Sequence, residues 1–337
     1  MRRLWRVRLL VWLVRVTAVM ALLPAQAAVA GSVPITGPPT PPGMAAWDTA
    51  VEGLMSRYHL PGASLAVAYQ GRVVLEHGYG YADTKARALV QPDSRFRLAS
   101  VTKNLTDAAI GVLLRERKLS LSTRPFATIL SKLRAPGGKK PIDPRVGQIT
   151  IADLINMKGG WDITKLGFDP VFDPVPEERA LRLHSPPTCQ EAIEYMLGRR
   201  LNHAPGTVYA YSNLGYCVLG EVLAHVMHTT CSKALDELVL KPAGMSDTEP
   251  SPTNPAALLP GEVHYYGQGG DSGSNSPSRL SLTASLGAAG MVSTALDLER
   301  YLIVLGGGVP SSPPWPNPAG NSYEGILGPP PVEAGID

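Results

Sequence analysis

The amino-acid sequence predicts a mixed α/β (α+β) chain in which an antiparallel hairpin precedes a series of amphipathic helices. Two observations carry this. Residues 63–69 (ASLAVAY) and 72–79 (RVVLEHGY) are β-rich runs joined across Gln70-Gly71, the pattern of two strands and a tight turn. Across residues 98–119 the apolar side chains Leu105, Ala108, Ala109, Val112 and Leu113 recur at three- and four-residue steps, the stripe of a helix that runs into a core.

Taken in order, residues 1–30 have the layout of a signal peptide. Arg2, Arg3, Arg6 and Arg8 precede an apolar run broken by Arg15, and Ala25-Gln26-Ala27 and Ala28-Val29-Ala30 follow. Cleavage is expected after Ala27 or Ala30, the alternative being an uncleaved N-terminal anchor helix. The whole chain's formal charge of +3 rests on five leader arginines with no acid beside them, so the remainder is slightly acidic. With no basic block, no zinc-finger spacing and few aromatic residues, nucleic-acid binding has no support. Nothing after the leader is long and apolar enough to span a bilayer. The protein is therefore expected to be exported, periplasmic or secreted, and free of the membrane once cleaved.

Residues 31–44, rich in Pro, Gly and Thr, read as a linker, and a domain is expected over residues 45–305. Its helices are expected at 45–58, 149–156, 188–197, 214–227 and 231–240, and from a cap at Ser293-Thr294 to Leu305. The hairpin supplies the two strands expected of it. Residues 306–337 read as a disordered Pro- and Gly-rich tail with no period-two run long enough for a strand.

Two short motifs carry chemistry. Ser100 and Lys103 form Ser-Val-Thr-Lys at the start of the 98–119 helix, where residues three apart share a face and the hydroxyl and ammonium can meet. The positive end of the helix dipole and burial both disfavour a charged lysine there, and a neutral lysine can take a proton from serine. Alone the tetrad decides nothing, because Ser100 also suits a helix N-cap. Tyr211-Ser212-Asn213 lies in a turn before the next long helix, holding a phenol and an amide on rigid backbone. A buried aromatic and a capping Asn213 are the plain alternative.

Order and context together identify a family. Residues 205–220 (PGTVYAYSNLGYCVLG), with Leu60-Pro61-Gly62-Ala63, Phe96-Arg97-Leu98-Ala99-Ser100-Val101-Thr102-Lys103, Ile149-Thr150-Ile151, residues 242–248 (PAGMSDT) and Gly290-Met291-Val292-Ser293-Thr294, resemble the serine β-lactamase-related hydrolases in their order. That group includes class C β-lactamases, penicillin-binding D-alanyl-D-alanine peptidases and esterases, and the Tyr-x-Asn form is similar to its class C-like branch. The resemblance implies a β-lactamase/transpeptidase-like fold, with an antiparallel sheet flanked by helices and an all-helical subdomain. It implies Ser100 as the acyl-accepting nucleophile, Lys103 and Tyr211 sharing proton abstraction and delivery, and Asn213 bonding the substrate amide. It implies a small-molecule or peptide substrate, be it ester, peptide or β-lactam, and neither metal nor organic cofactor.

Two departures accompany the match. Asn156-Met157-Lys158 stands where relatives usually carry His. No Lys-Thr-Gly or His-x-Gly, the family's third motif, follows Ser293, so C-terminal sheet strands are expected to be missing from the chain as given and its turnover to be impaired. The competing expectation is thus a catalytically impaired, truncated homologue acting as a binding or remnant protein.

Other signals read as structural. Gly270-Asp271-Ser272-Gly273 matches the serine context of trypsin-like proteases but lies in a Gly/Ser-rich loop, and Lys158-Gly159-Gly160 ends a helix too early in the chain to be the third motif. His225, His228 and Cys231, three apart, are read as a helix end rather than a metal site. Of the three cysteines, Cys189–Cys217 is the preferred disulfide, with three reduced, buried cysteines as the alternative.

Overall fold

The computed structural model describes residues 32–173, 175–181, 187–252, 257–266 and 285–306. The leader, the 270–273 loop and the tail beyond Gly306 lie outside the described residues. The unit that begins at Pro34 holds all the described strands and helices.

The hairpin forms as its sequence dictates. Strands β1 (Ile35–Thr36), β2 (Gly62–Tyr69), β3 (Arg72–Asp83) and β4 (Ala88–Leu89) make an antiparallel sheet in which β3 pairs with each of the others. Gln70 and Gly71 between β2 and β3 have φ of 50° and 75°, the left-handed pair that a two-residue hairpin turn demands. Ala63 faces Tyr79 and Val67 faces Leu75 across the ladder, and a bulge follows at Val67/Ala68. Leu75 and Tyr79 point into the interior.

Within residues 31–44, expected as a linker, the structure holds a short strand and side-chain contacts. Ile35 and Thr36 pair with Tyr79 and Gly78, and the Thr36 hydroxyl donates to the Val90 carbonyl. Beyond β1, the Pro38 carbonyl lies 2.7 Å from His77 Nε2, and the Thr40 hydroxyl donates to Asp48 Oδ2 at 2.7 Å. His77 Nδ1 is 2.8 Å from Asp48 Oδ1, which also accepts from the Tyr79 phenol at 2.6 Å. Asp48, His77 and Tyr79 are buried, and their polar groups are partnered, as burial requires. A Pro/Gly composition records only that no regular element runs far; it is blind to such partners.

The expectation of two strands is also exceeded. Besides β1 and β4, β5 (Phe96–Arg97) and β6 (Glu249–Pro250) flank β7 (Met291–Ser293) in a second antiparallel sheet. Strands of two or three residues show no period to detect.

Helices α1 (Ala45–Tyr58), α2 (Thr102–Arg115), α3 (Ile151–Ile155), α4 (Ile163–Leu166), α5 (Val175–Leu181) and α6 (Cys189–Leu197) are followed by α7 (Asn213–Val226), α8 (Cys231–Leu235), α9 (Lys241–Ala243) and α10 (Ala295–Leu305). A wide turn over Asp236–Leu240 joins α8 to α9. Side chains punctuate them: Thr150 with Asp153 and Thr188 with Glu191 close reciprocal capping boxes, while Ser212 and Thr294 cap α7 and α10. The α2 stripe foreseen from periodicity, Leu105, Ala108, Ala109, Val112 and Leu113, is buried, and α2 packs against α7 and α8. Cys189 at the start of α6 is bonded to Cys217 on α7. Among the described residues, no helix is long and apolar enough to cross a membrane.

Candidate active site

The site begins with a backbone kink. Leu98 N donates to the Met291 carbonyl at 2.8 Å, fixing the end of β5 beside β7. Ala99 then takes a φ of 45°, rare for a residue with a Cβ, and a tight turn over Ala99–Val101 leads into α2. Ser100 therefore lies on the turn before the α-helix. Its hydroxyl makes no cap; instead it lies 2.6 Å from Tyr211 Oη and accepts from Lys103 Nζ at 3.2 Å.

Lys103, in the first turn of α2, is buried beneath this exposed pair. Its three ammonium donors have three acceptors: Ser100 Oγ at 3.2 Å, Asn213 Oδ1 at 2.7 Å and the Ala288 carbonyl at 2.9 Å. The nitrogen also stands 4.9 Å from the centre of the Tyr211 ring and 5.4 Å from that of Tyr216. Burial pushes the lysine below its ordinary range, while the contact with Tyr211 and the carboxylates of Asp169 and Asp107 pull it back. Of the three partners only Ser100 Oγ carries a proton, the Asn213 and Ala288 oxygens being acceptors alone, so the serine is the one partner that could donate to the lone pair of a neutral Lys103.

Asn213 opens α7 but does not cap it; Ser212 does, accepting from Gly215 N at 3.0 Å. The Asn213 amide is aimed by partners at both ends, its Oδ1 taking the lysine and its Nδ2 donating to Asp169 Oδ2 at 2.7 Å. The segment carrying Tyr211 rests on the loop after α3, where Ala210 N donates to the Met157 carbonyl at 2.9 Å and Ser212 N approaches Met157 Sδ at 3.4 Å. Thus the four residues singled out in the sequence, Ser100, Lys103, Tyr211 and Asn213, meet in one place.

Several participants were not foreseen. The Ala288 carbonyl reaches Lys103 because Gly287 packs directly on α7: a Cβ there would sit 2.5 Å from the Tyr216 carbonyl and 3.2 Å from Gly220 Cα. Thr106 Oγ1 holds the same segment by donating to the Gly287 carbonyl at 2.7 Å. Asp169 comes from a loop with no sequence signal for this role. Asp107 and Tyr216 were legible in spacing alone, four residues after Lys103 and three after Asn213 on their respective helices. The Tyr216 phenol donates to Asp107 Oδ2 at 2.8 Å, and burial raises that carboxyl to about 6.

The family model Beta-lactamase matches residues 47–318, a span that contains all of these groups. Protein flp of Staphylococcus aureus is 30% identical over 207 residues, which cover 61% of this chain and 38% of flp. The chain thus spans less than two fifths of the length of that curated relative. Among solved structures, EstCE1, a hydrolase with promiscuous acyltransferase activity, superposes with a TM-score of 0.60 at 22% identity, covering 78% of this chain and 73% of its own. The D-amino acid amidase of Ochrobactrum anthropi SV3 gives a TM-score of 0.59 at 21% identity, covering 78% and 72%. These likenesses establish the β-lactamase/transpeptidase-like fold. With the family match extending over most of the sequence, the chain belongs to the Beta-lactamase family of hydrolases.

Proposed function

We propose that this chain is an exported serine hydrolase that forms an acyl-enzyme on Ser100. The observation that carries the reading is the placement of Ser100 Oγ within hydrogen-bond reach of both Tyr211 Oη, at 2.6 Å, and Lys103 Nζ, at 3.2 Å. Ser100 Oγ bonds to the substrate carbonyl carbon as its proton passes to Lys103, directly or through Tyr211. The resulting oxyanion collapses, breaking the bond to the leaving group, which departs with a proton delivered by Tyr211. Water then attacks the serine ester by the same proton route in reverse and releases the acid. Asn213 keeps Lys103 oriented and offers an N–H to the substrate.

The substrate class is a small carboxylic ester, a peptide or a β-lactam amide, all of which share this acyl-enzyme chemistry. Breadth of this kind is consistent with the two similar structures, a hydrolase with acyltransferase activity and an amidase. Labelling with a fluorescent penicillin and with a fluorophosphonate, followed by peptide mapping, tests the nucleophile and sorts the class. Label is expected on the Ser100 peptide and absent from Ser100→Ala. Labelling that survives that substitution unchanged overturns the assignment. Export is tested separately: secreted material is expected to begin at Ala28 or Gly31, and N-terminal sequencing that still reads Met1 refutes cleavage.

A further inference from the structure

Helix α2 carries a carboxylate one turn beyond its lysine. Lys103 and Asp107 leave the same face of the helix, and both run to one aromatic ring across the interface with α7. Lys103 Nζ stands 5.4 Å from the centre of the Tyr216 ring, and the phenol at the far end of that ring donates to Asp107 Oδ2 at 2.8 Å. The other carboxylate oxygen, Asp107 Oδ1, is buried without a hydrogen-bond partner among the described residues. A charge so poorly solvated is weakly screened, and its field extends to its neighbours.

Few groups share that field. Asp107 faces Lys103 on its own helix, Tyr216 on α7 and Tyr301 on α10, whose phenol donates to the Asn104 carbonyl at 2.8 Å. Lys103 additionally faces Tyr211 and, from the loop before α5, Asp169. Asp169 is occupied with the Asn213 amide and with the backbone N–H groups of Val171 and Phe172. Asp107 has only the one phenol among the described residues.

We propose that Asp107, anchored by Tyr216, is a positioning residue that governs how firmly Lys103 holds its proton and so sets the pH range over which Ser100 is acylated. This rests on the reading of Lys103 as the group that receives the Ser100 proton. Asp107 touches neither the serine nor a substrate; it acts through the lysine. Burial raises its carboxyl to about 6, so its charge appears close to neutrality. Once ionised, it favours the charged lysine and delays formation of the neutral base.

The test compares the rate of Ser100 labelling by the acylating probe against pH in the native chain, Asp107→Asn and Tyr216→Phe, with thermal unfolding as the check on folding. Below the pH at which Asp107 ionises, native and Asp107→Asn proteins should label alike. Above it the Asn variant should be faster by roughly 3- to 10-fold until both reach their plateau, as expected for removal of one charge a helix turn away. Tyr216→Phe keeps the ring but removes the donor that favours ionised Asp107, so the step near pH 6 should move upward. A second readout needs no turnover: the Lys103 side-chain carbon signal, assigned with Lys103→Arg, should titrate at lower pH in Asp107→Asn. Superimposable rate profiles or an unmoved Lys103 titration overturn the proposal. If the native Ser100 takes no label at any pH, the hydrolase reading falls and the acylation half of the proposal with it, while the Lys103 titration still decides whether Asp107 holds the lysine's proton.

Discussion

Tyr211 and Lys103 divide the site between surface and interior, and substitutions should separate their contributions. Tyr211 is 36% exposed, so Tyr211→Phe removes the proposed proton carrier without opening a cavity. Acylation of Ser100 is expected to slow by about 10²–10⁴, the range for loss of one proton-transfer group, with little change in unfolding temperature. A rate within about twofold of native would remove Tyr211 from the proton route. Asp107 affects stability as well as reactivity. Its carboxyl is raised from 3.8 to about 6 by burial, so through that window the folded chain binds more protons than the unfolded one. Its contribution to stability therefore falls as pH rises from about 4 to 6, and the full cost is present at neutrality. Asp107→Asn keeps an acceptor for Tyr216 and removes the charge. It should stabilise the fold at pH 7 by about 3 kcal/mol and leave it unchanged at low pH, as denaturant melts at the two pH values would show.

Between elements, the decisive contact is one of backbone on backbone. Gly287 and Gly220 let the segment before β7 lie against α7, which is what brings the Ala288 carbonyl to Lys103. In Gly287→Ala the new Cβ would overlap the Tyr216 carbonyl at 2.5 Å, and neither side is a flexible chain end that can yield. Destabilisation of about 1–3 kcal/mol is expected, with slower acylation because Lys103 loses an acceptor. Melting and labelling measured on one preparation check both. The disulfide joins α6 to the helix that carries Asn213, closing a loop across a separation of 28 residues. Its removal in the double variant Cys189→Ser/Cys217→Ser should cost about 2–4 kcal/mol. Cys231, by contrast, is pushed up to about 12 by burial, so the folded chain should resist alkylation at neutral pH and yield one thiol on unfolding without reductant.

The same contacts show which parts of the site the sequence could disclose. Ser100, Lys103, Tyr211 and Asn213 stand in two local motifs, each confined to four residues or fewer, and helical period fixed their neighbours. The α2 and α7 helices were legible because their apolar periods are long. Ala288, Asp169 and the kink at Ala99 were not, because each owes its role to a partner more than 40 positions away or to a backbone angle that alanine does not advertise. Asp107 fell between: its spacing from Lys103 was plain, but a carboxylate on a helix face is ordinarily solvated, and only burial gives it consequence.

At the scale of the whole molecule, helices α1, α2, α7 and α10 and both sheets are brought together by polar groups at a few buried junctions as well as by the apolar core. Thr248, Ser293, Asp297 and Arg300 form one such junction between the turn after α9, β7 and α10. The other joins β1, α1 and β3 through Thr40, Asp48, His77, Tyr79 and the Pro38 carbonyl. Composition had assigned the first of these strands to a linker, since a two-residue strand flanked by prolines carries no pattern that differs from a tether. What it lacks in pattern it has in partners.

That second junction sets a boundary for proteolytic trimming. A protease entering from the N-terminal side meets no described β-ladder before Ile35, where the backbone of Ile35 and Thr36 is paired into the sheet and, two residues on, the Pro38 carbonyl is held by His77. Exopeptidase or limited endoprotease digestion should therefore halt close to Pro34 and leave a fragment of native resistance. Variants shortened past Pro38 would lose the carbonyl that holds the imidazole and would be expected to digest through to small peptides. A shortened N-terminus is thus expected to be tolerated only up to a fixed residue, and fragment masses from a timed digest would read that limit directly.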